Sequence, residues 1–299
     1  MGAEVRAKRV VAVVGPTAAG KSELGVSLAR ALGGEVVNAD SMQLYRGMDI
    51  GTAKLSESER GGIAHHLLDI WPVTRTATAA DYQSLCRGVI GELRAEGRTP
   101  VLVGGSGLYL RAALDELDFP GTDPELRASL EDELARDGAR ALHARLTALD
   151  PQAATRMEPT NGRRVVRALE VVTMTGSMPG ALRCYDAHYA TTYLGVDRPD
   201  LAERIAVRVD RMWTRGLVEE VRGLAGEGLR VGVTASRALG YAQVLGTLDD
   251  RWDEQQARAL TVTATRRFAR RQRAWFRRDP RVHWLEPDRP LLAQALALL

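Results

Sequence analysis

The octapeptide Gly15-Pro16-Thr17-Ala18-Ala19-Gly20-Lys21-Ser22 carries the most explicit chemistry in this 299-residue chain. It fits GxxxxGK[ST], in which Gly15 and Gly20 let the backbone wrap inward. Successive N–H groups, and the N-terminus of the helix that follows, then point at phosphate oxygens. Lys21 adds a point charge, and the Ser22 hydroxyl can ligate Mg²⁺. The plain alternative is a tight strand-to-helix turn that matches by accident. The match, however, follows a buried-type strand and precedes a helix, as the mechanism requires. All eight residues are therefore expected to grip an oligophosphate, with Mg²⁺ as cofactor and Ser22 as its ligand. The pattern does not specify ATP.

Asp40-Ser41-Met42-Gln43-Leu44-Tyr45 follows the second short apolar run. This puts Asp40 at the C-terminal edge of a sheet, beside the phosphate loop, where ligands of open α/β sheets bind. A carboxylate there can take a proton from an attacking group or ligate Mg²⁺; an ordinary turn or N-cap aspartate is the other reading. Gly104-Gly105-Ser106-Gly107-Leu108-Tyr109 reaches the same edge, its glycines permitting close backbone approach and Ser106 offering a hydroxyl. The strand before it, Val101-Leu102-Val103, ends without the carboxylate that an ordinary P-loop NTPase keeps there. That absence weakens the ATPase and switch readings, and leaves open a loop that holds a diphosphate as leaving group. Asp49-Ile50-Gly51-Thr52-Ala53-Lys54 and His65-His66-Leu67-Leu68-Asp69 lie between these motifs. Adjacent histidines project in different directions, so hydrogen-bonded structural roles are expected for His65 and His66 rather than a shared metal.

The elements that must position these groups are legible from periodicity. Residues 9–14 read as a strand buried on both faces, followed by the glycine turn and a helix through about Leu32. Residues 35–39 form the second strand, Ala80–Glu96 a helix that stops at Gly97, and Pro100–Val103 the third strand. Such alternation implies right-handed crossovers and a parallel sheet. From Asp123 to Thr175 helices succeed one another with no strand between them, and Gly176–Gly180 marks the exit. Thr192–Val196 returns as a strand, helices follow at roughly 200–224, 235–247 and 253–277, and Val282–Leu285 is a last short strand. The predicted fold is α/β: a P-loop NTPase-like parallel sheet flanked by helices, with an all-helical insertion. The predicted boundaries are 1–118 and 191–299 for the core and 119–190 for the insertion.

Composition bounds what remains. With 45% hydrophobic and 26% charged residues, the chain can bury a full core plus an attached subdomain. No apolar run approaches the ~20 residues needed to cross a bilayer. The opening MGAEVRAKRV leads into a strand without a signal-peptide core, and Cys86 and Cys184 form no CxxC pair. A reduced, cytoplasmic monomer without structural zinc or membrane contact is expected.

A net charge of +3 does not by itself establish nucleic-acid binding. Lys8, Lys21 and Lys54 are the only lysines, and codon bias accounts for most of the arginine excess, so location is more informative than amount. Around Val165 the residues Val165, Leu169 and Val172 share one helix side, with Arg163 and Arg167 opposite. On the last long helix Leu260, Ala264, Phe268 and Trp275 make a core stripe, with Arg266, Arg270, Arg273 and Arg277 on the far side. A solvated charged face is the usual meaning of such a row. Residues 261–280 nevertheless hold seven arginines against one acid, Asp279, which favours phosphate tracking. Arg204, Arg208, Arg211 and Arg215 form a further ridge, open to the reading of arginines snorkelling at a core boundary.

In order and spacing, GPTAAGKS, DSMQLY, DIGTAK, HHLLD and GGSGLY resemble the tRNA dimethylallyltransferases. The resemblance continues through Arg163-Arg164-Val165-Val166-Arg167-Ala168-Leu169-Glu170, Arg237-Ala238-Leu239-Gly240-Tyr241 and the run from Thr265 to Phe276, and covers essentially the whole chain. It implies transfer of a prenyl group from dimethylallyl diphosphate to N6 of the adenosine at tRNA position 37, next to the anticodon. It also implies that Asp40 is the general base, that Ser106 and Arg208 complete the catalytic set, and that Arg208 joins Lys21 at the diphosphate. By the same resemblance Asp40, Ser41, Met42, Gln43, Ser106, Arg127, Arg163, Arg164, Arg167, Arg237, Gly240 and Tyr241 contact the anticodon stem-loop. Many members carry threonine where Ser106 stands. The rival readings are a P-loop kinase for a small metabolite, a prenyltransferase for free adenine nucleotides, and a nucleotide-gated RNA-binding module that would not need Asp40.

Overall fold

The computed structural model describes residues 9–178 and 185–299. Lys8, Cys184 and the Gly180 end of the predicted exit segment lie outside the described residues. Strand β1 (Val10–Val14) is buried throughout. Its Val10, Ala12 and Val14 join one apolar core, while Val11 and Val13 join another, as the two-residue period of a strand demands. Helix α1 (Lys21–Leu32) follows, then β2 (Glu35–Asn38), the single-turn α2 (Glu57–Arg60), β3 (His65–His66), α3 (Ala79–Ala95), β4 (Pro100–Gly104) and α4 (Gly107–Leu114). Next come α5 (Pro124–Leu149), α6 (Pro151–Ala154) and α7 (Gly162–Thr175). The chain continues through β5 (Thr191–Gly195), α8 (Leu201–Thr214), α9 (Leu217–Gly226) and two 3₁₀ turns (Leu229–Val231, Ala235–Arg237). It ends with α10 (Tyr241–Leu248), α11 (Glu254–Phe276), β6 (Val282–Trp284) and α12 (Leu291–Ala297).

The strands form one sheet in the order β3-β2-β4-β1-β5-β6, and every pairing is parallel. This is a P-loop-like α/β fold. Because all strands run the same way, the turns after β1, β2, β4 and β5 open on a single edge. Helices α1 and α12 cover one face through Leu24, Leu28 and Ala295. Tyr82, Ile90, Val209, Leu217, Tyr241 and Ala269, from α3 and α8–α11, pack on the other.

Three local departures from the sequence reading have physical causes. The helix expected over 200–224 breaks into α8 and α9 at Gly216, whose left-handed φ of 94° favours glycine. The 235–247 helix begins as a 3₁₀ turn and becomes α-helical only at Tyr241. On α11 the buried residues are Ala257, Thr261, Ala269, Gln272 and Phe276, whereas Leu260 is 42% exposed. The expected stripe of Leu260, Ala264, Phe268 and Trp275 is therefore rotated. Two of the inward positions, Thr261 and Gln272, bond backbone carbonyls and contribute no hydropathy signal.

The arginine row of α11 also needs correction. Arg273 pairs with Asp197 at 2.8 Å, and Arg277 reaches the same carboxylate at 3.5 Å. Arg266 donates to the Ala202 carbonyl at 3.0 Å. Three of the four guanidinium groups thus tie α11 to the loop after β5 and to α8, while Arg270 is exposed.

The chain divides into two compact units, one running to Glu116 and resuming at Asp186, the other spanning Leu117–Tyr185. The helical unit has its own core of Leu130, Leu142, Leu146, Val165, Val166, Leu169 and Val172. Within it, Arg127 and Arg167 bracket the wholly buried Glu170 at 2.5 and 2.7 Å, and Asp123 N–H adds a third bond at 3.0 Å. Burial alone would raise that carboxyl; the hydrogen bonds from Arg127, Arg167 and the Asp123 amide outweigh it and hold it below the usual range. Arg167 also caps the carbonyls of Pro120 and Gly121. Two residues expected at tRNA are therefore committed to internal bonds, whereas Arg163 and Arg164 are exposed on α7.

Candidate active site

The turns after β1, β2 and β4, with the segments flanking β3, build one cleft. It is lined by Thr17, Lys21 and Ser22 from the phosphate loop, Asn38, Asp40 and Gln43 after β2, Thr52, Ala53 and Leu55, and Val103 and Gly104 at the end of β4. Val36, His65, Leu68, Arg208 and Gln272 complete the lining. The backbone forms a cradle because Gly15 lies against the Val196 carbonyl, where a Cβ would sit 2.1 Å away. Ala18 adopts a left-handed φ of 65°, and Lys21 Nζ donates to the Pro16 carbonyl at 2.7 Å. Ser22 lies in the first turn of α1, and its hydroxyl has no hydrogen bond among the described residues.

Helix α8 supplies the second cation. Arg208 donates to Thr17 Oγ1 at 3.1 Å and to the Thr52 carbonyl at 3.2 Å, and Arg204 donates to the Ala18 carbonyl at 2.9 Å. Burial pushes the Lys21 ammonium down, Asp40 draws it up and Arg208 pushes it down again, leaving it at about 8. Burial likewise lowers Arg208, with Asp40 opposing. Two desolvated cations thus share the cleft with one carboxylate, an arrangement that favours an incoming anion.

Asp40 is held by its neighbours. Asn38 Oδ1 accepts from the Asp40 amide at 2.9 Å, and Asn38 Nδ2 donates to the carbonyls of Asp40 and Leu67 at 3.0 Å each. Asp40 Oδ1 accepts from the Met42 amide at 2.9 Å, which leaves Oδ2 without a hydrogen bond among the described residues. Ser106 Oγ accepts from the Ser41 amide at 3.1 Å and donates to Ser41 Oγ at 3.2 Å. Ser106 does not line the cleft; its hydroxyl fixes the turn that carries Asp40.

The loop 49–54 is anchored from two sides. Glu220 accepts from the amides of Asp49, Ile50 and Gly51 at 3.2, 2.7 and 3.2 Å, and from the Tyr241 hydroxyl at 2.5 Å. Lys54 Nζ bonds Asp49 and Asp69 at 2.5 Å each and the Tyr45 carbonyl at 3.1 Å. The Thr52 carbonyl is thereby presented to Arg208 and to Gln43 Nε2, the latter at 3.2 Å. His65 Nδ1 meets the Ile63 carbonyl at 2.9 Å and His66 Nε2 meets Glu35 at 2.5 Å, both structural contacts. Tyr241 is fully buried, so its phenol supports Glu220 and presents no surface; Arg237 is exposed, Gly240 is buried, and Ser41, Met42 and Gln43 are half-buried.

The description IPP transferase fits residues 43–279. The chain belongs to the IPP transferase family. A tRNA dimethylallyltransferase of Streptomyces coelicolor is 65% identical over 286 residues, 93% of this chain and 90% of the relative. The full-length tRNA isopentenylpyrophosphate transferase of Bacillus halodurans superposes with a TM-score of 0.71 at 38% identity, covering 97% of this chain and 94% of that one. A eukaryotic dimethylallyltransferase acting on tRNA gives a TM-score of 0.80 at 27% identity, over 94% of this chain and 74% of that one. Of the motifs that carried the resemblance, GPTAAGKS, DSMQLY, DIGTAK, HHLLD, GGSGLY and the 265–276 run each place a residue in the cleft lining, whereas the 163–170 segment lies in the helical unit and 237–241 lies behind the cleft, bonding Glu220 through Tyr241. Asn38, Arg204, Glu220 and Gln272 were missed by sequence reasoning. Each has a side-chain partner on another loop or element, and the local traces were slight: Arg204 stood in the arginine ridge of 204–215 with no role given to it, and Gln272 is a polar residue between arginines in the run 265–276.

Proposed function

We propose that this chain transfers the dimethylallyl group of dimethylallyl diphosphate to N6 of adenosine 37 in tRNA, next to the anticodon, and releases diphosphate. The observation that carries this reading is the cleft itself: Lys21 and Arg208, both desolvated, beside the single carboxylate Asp40 and the phosphate-loop amides. The diphosphate is gripped by the amides of Ala18–Ser22, with Lys21 and Arg208 receiving the negative charge that gathers as the C1–O bond weakens. Fixed donors aimed at developing charge are the largest catalytic term expected here. The N6 lone pair forms the new C–N bond as the C1–O bond breaks, and the proton N6 must lose passes to Asp40 Oδ2.

Among the described residues no group of three or more His, Cys, Asp or Glu side chains is arranged to hold a metal ion. The donor set fits Mg²⁺ nonetheless, because that ion commonly takes one or two protein oxygens and completes its shell with phosphate oxygens and water. The Ser22 hydroxyl would hold it, and bound Mg²⁺ would neutralise charge on the leaving group.

The acceptor adenine leaves its stacked position to reach the cleft, as bases do when chemistry is done on them. Asp40, Ser41, Met42, Gln43 and Arg237 at the core, and Arg163 and Arg164 on the insertion, are the candidate tRNA contacts. No helix among the described residues is long and apolar enough to cross a membrane.

The test is incubation with labelled dimethylallyl diphosphate, Mg²⁺ and either total tRNA or AMP. Label in tRNA alone, recovered after digestion as an N6-prenylated adenosine, is the expected result. Label in AMP, or turnover of ATP in place of the prenyl donor, would overturn the assignment.

A further inference from the structure

The phosphate loop contains a backbone conformation that L-amino acids rarely adopt, and two other elements hold it. Ala18 has a φ of 65°. Strain of this kind persists only where the surroundings over-determine it. The peptide that follows Ala18 and the one that precedes Thr17 are both bonded from outside the loop. The Thr17 amide donates to Gln272 Oε1 at 2.9 Å, and the Ala18 carbonyl accepts from Arg204 at 2.9 Å. Gln272 is 6% exposed, and its Nε2 donates to the Gly105 carbonyl at 2.9 Å. The two partners define which end of the amide is which. Glutamate would lose the donor for Gly105, a cationic side chain would lose the acceptor for Thr17, and asparagine is one methylene short. The fit is close, since a Cβ on Gly105 would lie 2.1 Å from Gln272 Nε2.

We propose that Gln272 is a positioning residue for the phosphate loop, locking the Thr17 peptide and the glycine turn after β4 in one register so that the amides of Ala18–Ser22 are aimed before the diphosphate arrives. It rests on the reading of the cleft as a diphosphate site. It also gives α11 an inner-face task that its arginines do not share.

Calorimetric titration of the whole protein with inorganic diphosphate and Mg²⁺ tests this without turnover. The wild type binds, and Gln272→Met, which keeps the length and removes both bonds, weakens binding by about tenfold or more, because small misplacements of oriented groups are costly. The donor KM rises in parallel, while the tRNA KM stays within about twofold. Gly105→Ala, which displaces the amide from the facing turn and leaves the α11 sequence unchanged, gives the same donor-selective loss. The double variant is no weaker than Gln272→Met alone, because both substitutions break one linkage. Unchanged diphosphate affinity in Gln272→Met, or a fall in kcat and thermal stability with donor KM unaltered, would make Gln272 a packing residue only and overturn the assignment. If Gln272→Met does not fold, Gly105→Ala decides, and unchanged affinity there overturns it equally. A wild type that does not bind diphosphate would instead remove the reading of the cleft on which the assignment depends.

Discussion

Lys21 carries its charge in surroundings that resist it, and its titration therefore reports on the site. Burial chiefly sets its pKa at about 8, against an ordinary 10.5. An arriving diphosphate supplies the interaction that solvent no longer does and raises that value, so binding near pH 8 must take up a proton. The donor KM should be level below neutrality and rise by up to about tenfold per pH unit above about pH 8. Initial rates across about pH 6.5 to 9.5, with calorimetry in buffers of different ionisation enthalpy, check this; a KM level to the alkaline end would contradict it. The ligand-free protein carries the opposite signature. The Lys21 contribution to stability rises with pH from about 8, because there its unfolded form holds the proton that the folded form has lost, until the buried Cys86 thiol, pushed up to about 12 by burial, opposes it above about pH 9.

Elements matter here because the groups that aim the chemistry come from helices remote in sequence. Glu220 on α9 uses both oxygens on the amides of Asp49–Gly51 and on the Tyr241 hydroxyl. Glu220→Gln keeps one acceptor oxygen and turns an N–H toward other donors. Unmet polar groups of this kind cost about 1–3 kcal/mol. The variant should lose that much stability in denaturant unfolding and should raise the donor KM, since Thr52 is no longer held under Arg208; unchanged unfolding and KM would dismiss the anchor. What was legible in the sequence follows the same division. The glycine turn, the strands and the carboxylate after β2 are local patterns, in which Gly15, Lys21 and Asp40 declare themselves by their immediate neighbours. The bonds of Gln272 to Thr17 and of Glu220 to Ile50 join residues 255 and 170 positions apart, which no periodicity encodes. The arginine rows could not be sorted for a related reason. A guanidinium on a helix face looks the same in sequence whether it meets water or an acid from another segment, as Arg273 meets Asp197 and Arg127 meets Glu170.

Across the whole molecule, a net charge of +3 and a pI near 9.0 give only a weak general attraction for RNA, so binding must rest on local charge. On α11, Arg267 and Arg270 are exposed. Replacing both with alanine should lower the slope of log affinity for tRNA against log salt by about 1–2, each phosphate contact on single-stranded RNA contributing about 0.7. Filter binding over a salt series reads this, and parallel lines of equal affinity would assign those arginines to solvent. The central claim concerns the proton on the adenine nitrogen. Single-turnover transfer with tRNA and prenyl donor both saturating, compared between wild type and Asp40→Ala, isolates that step. The account predicts a rate lower by about 10²–10⁴-fold with tRNA affinity nearly unchanged. A variant that transfers the prenyl group at close to the wild-type rate would contradict it.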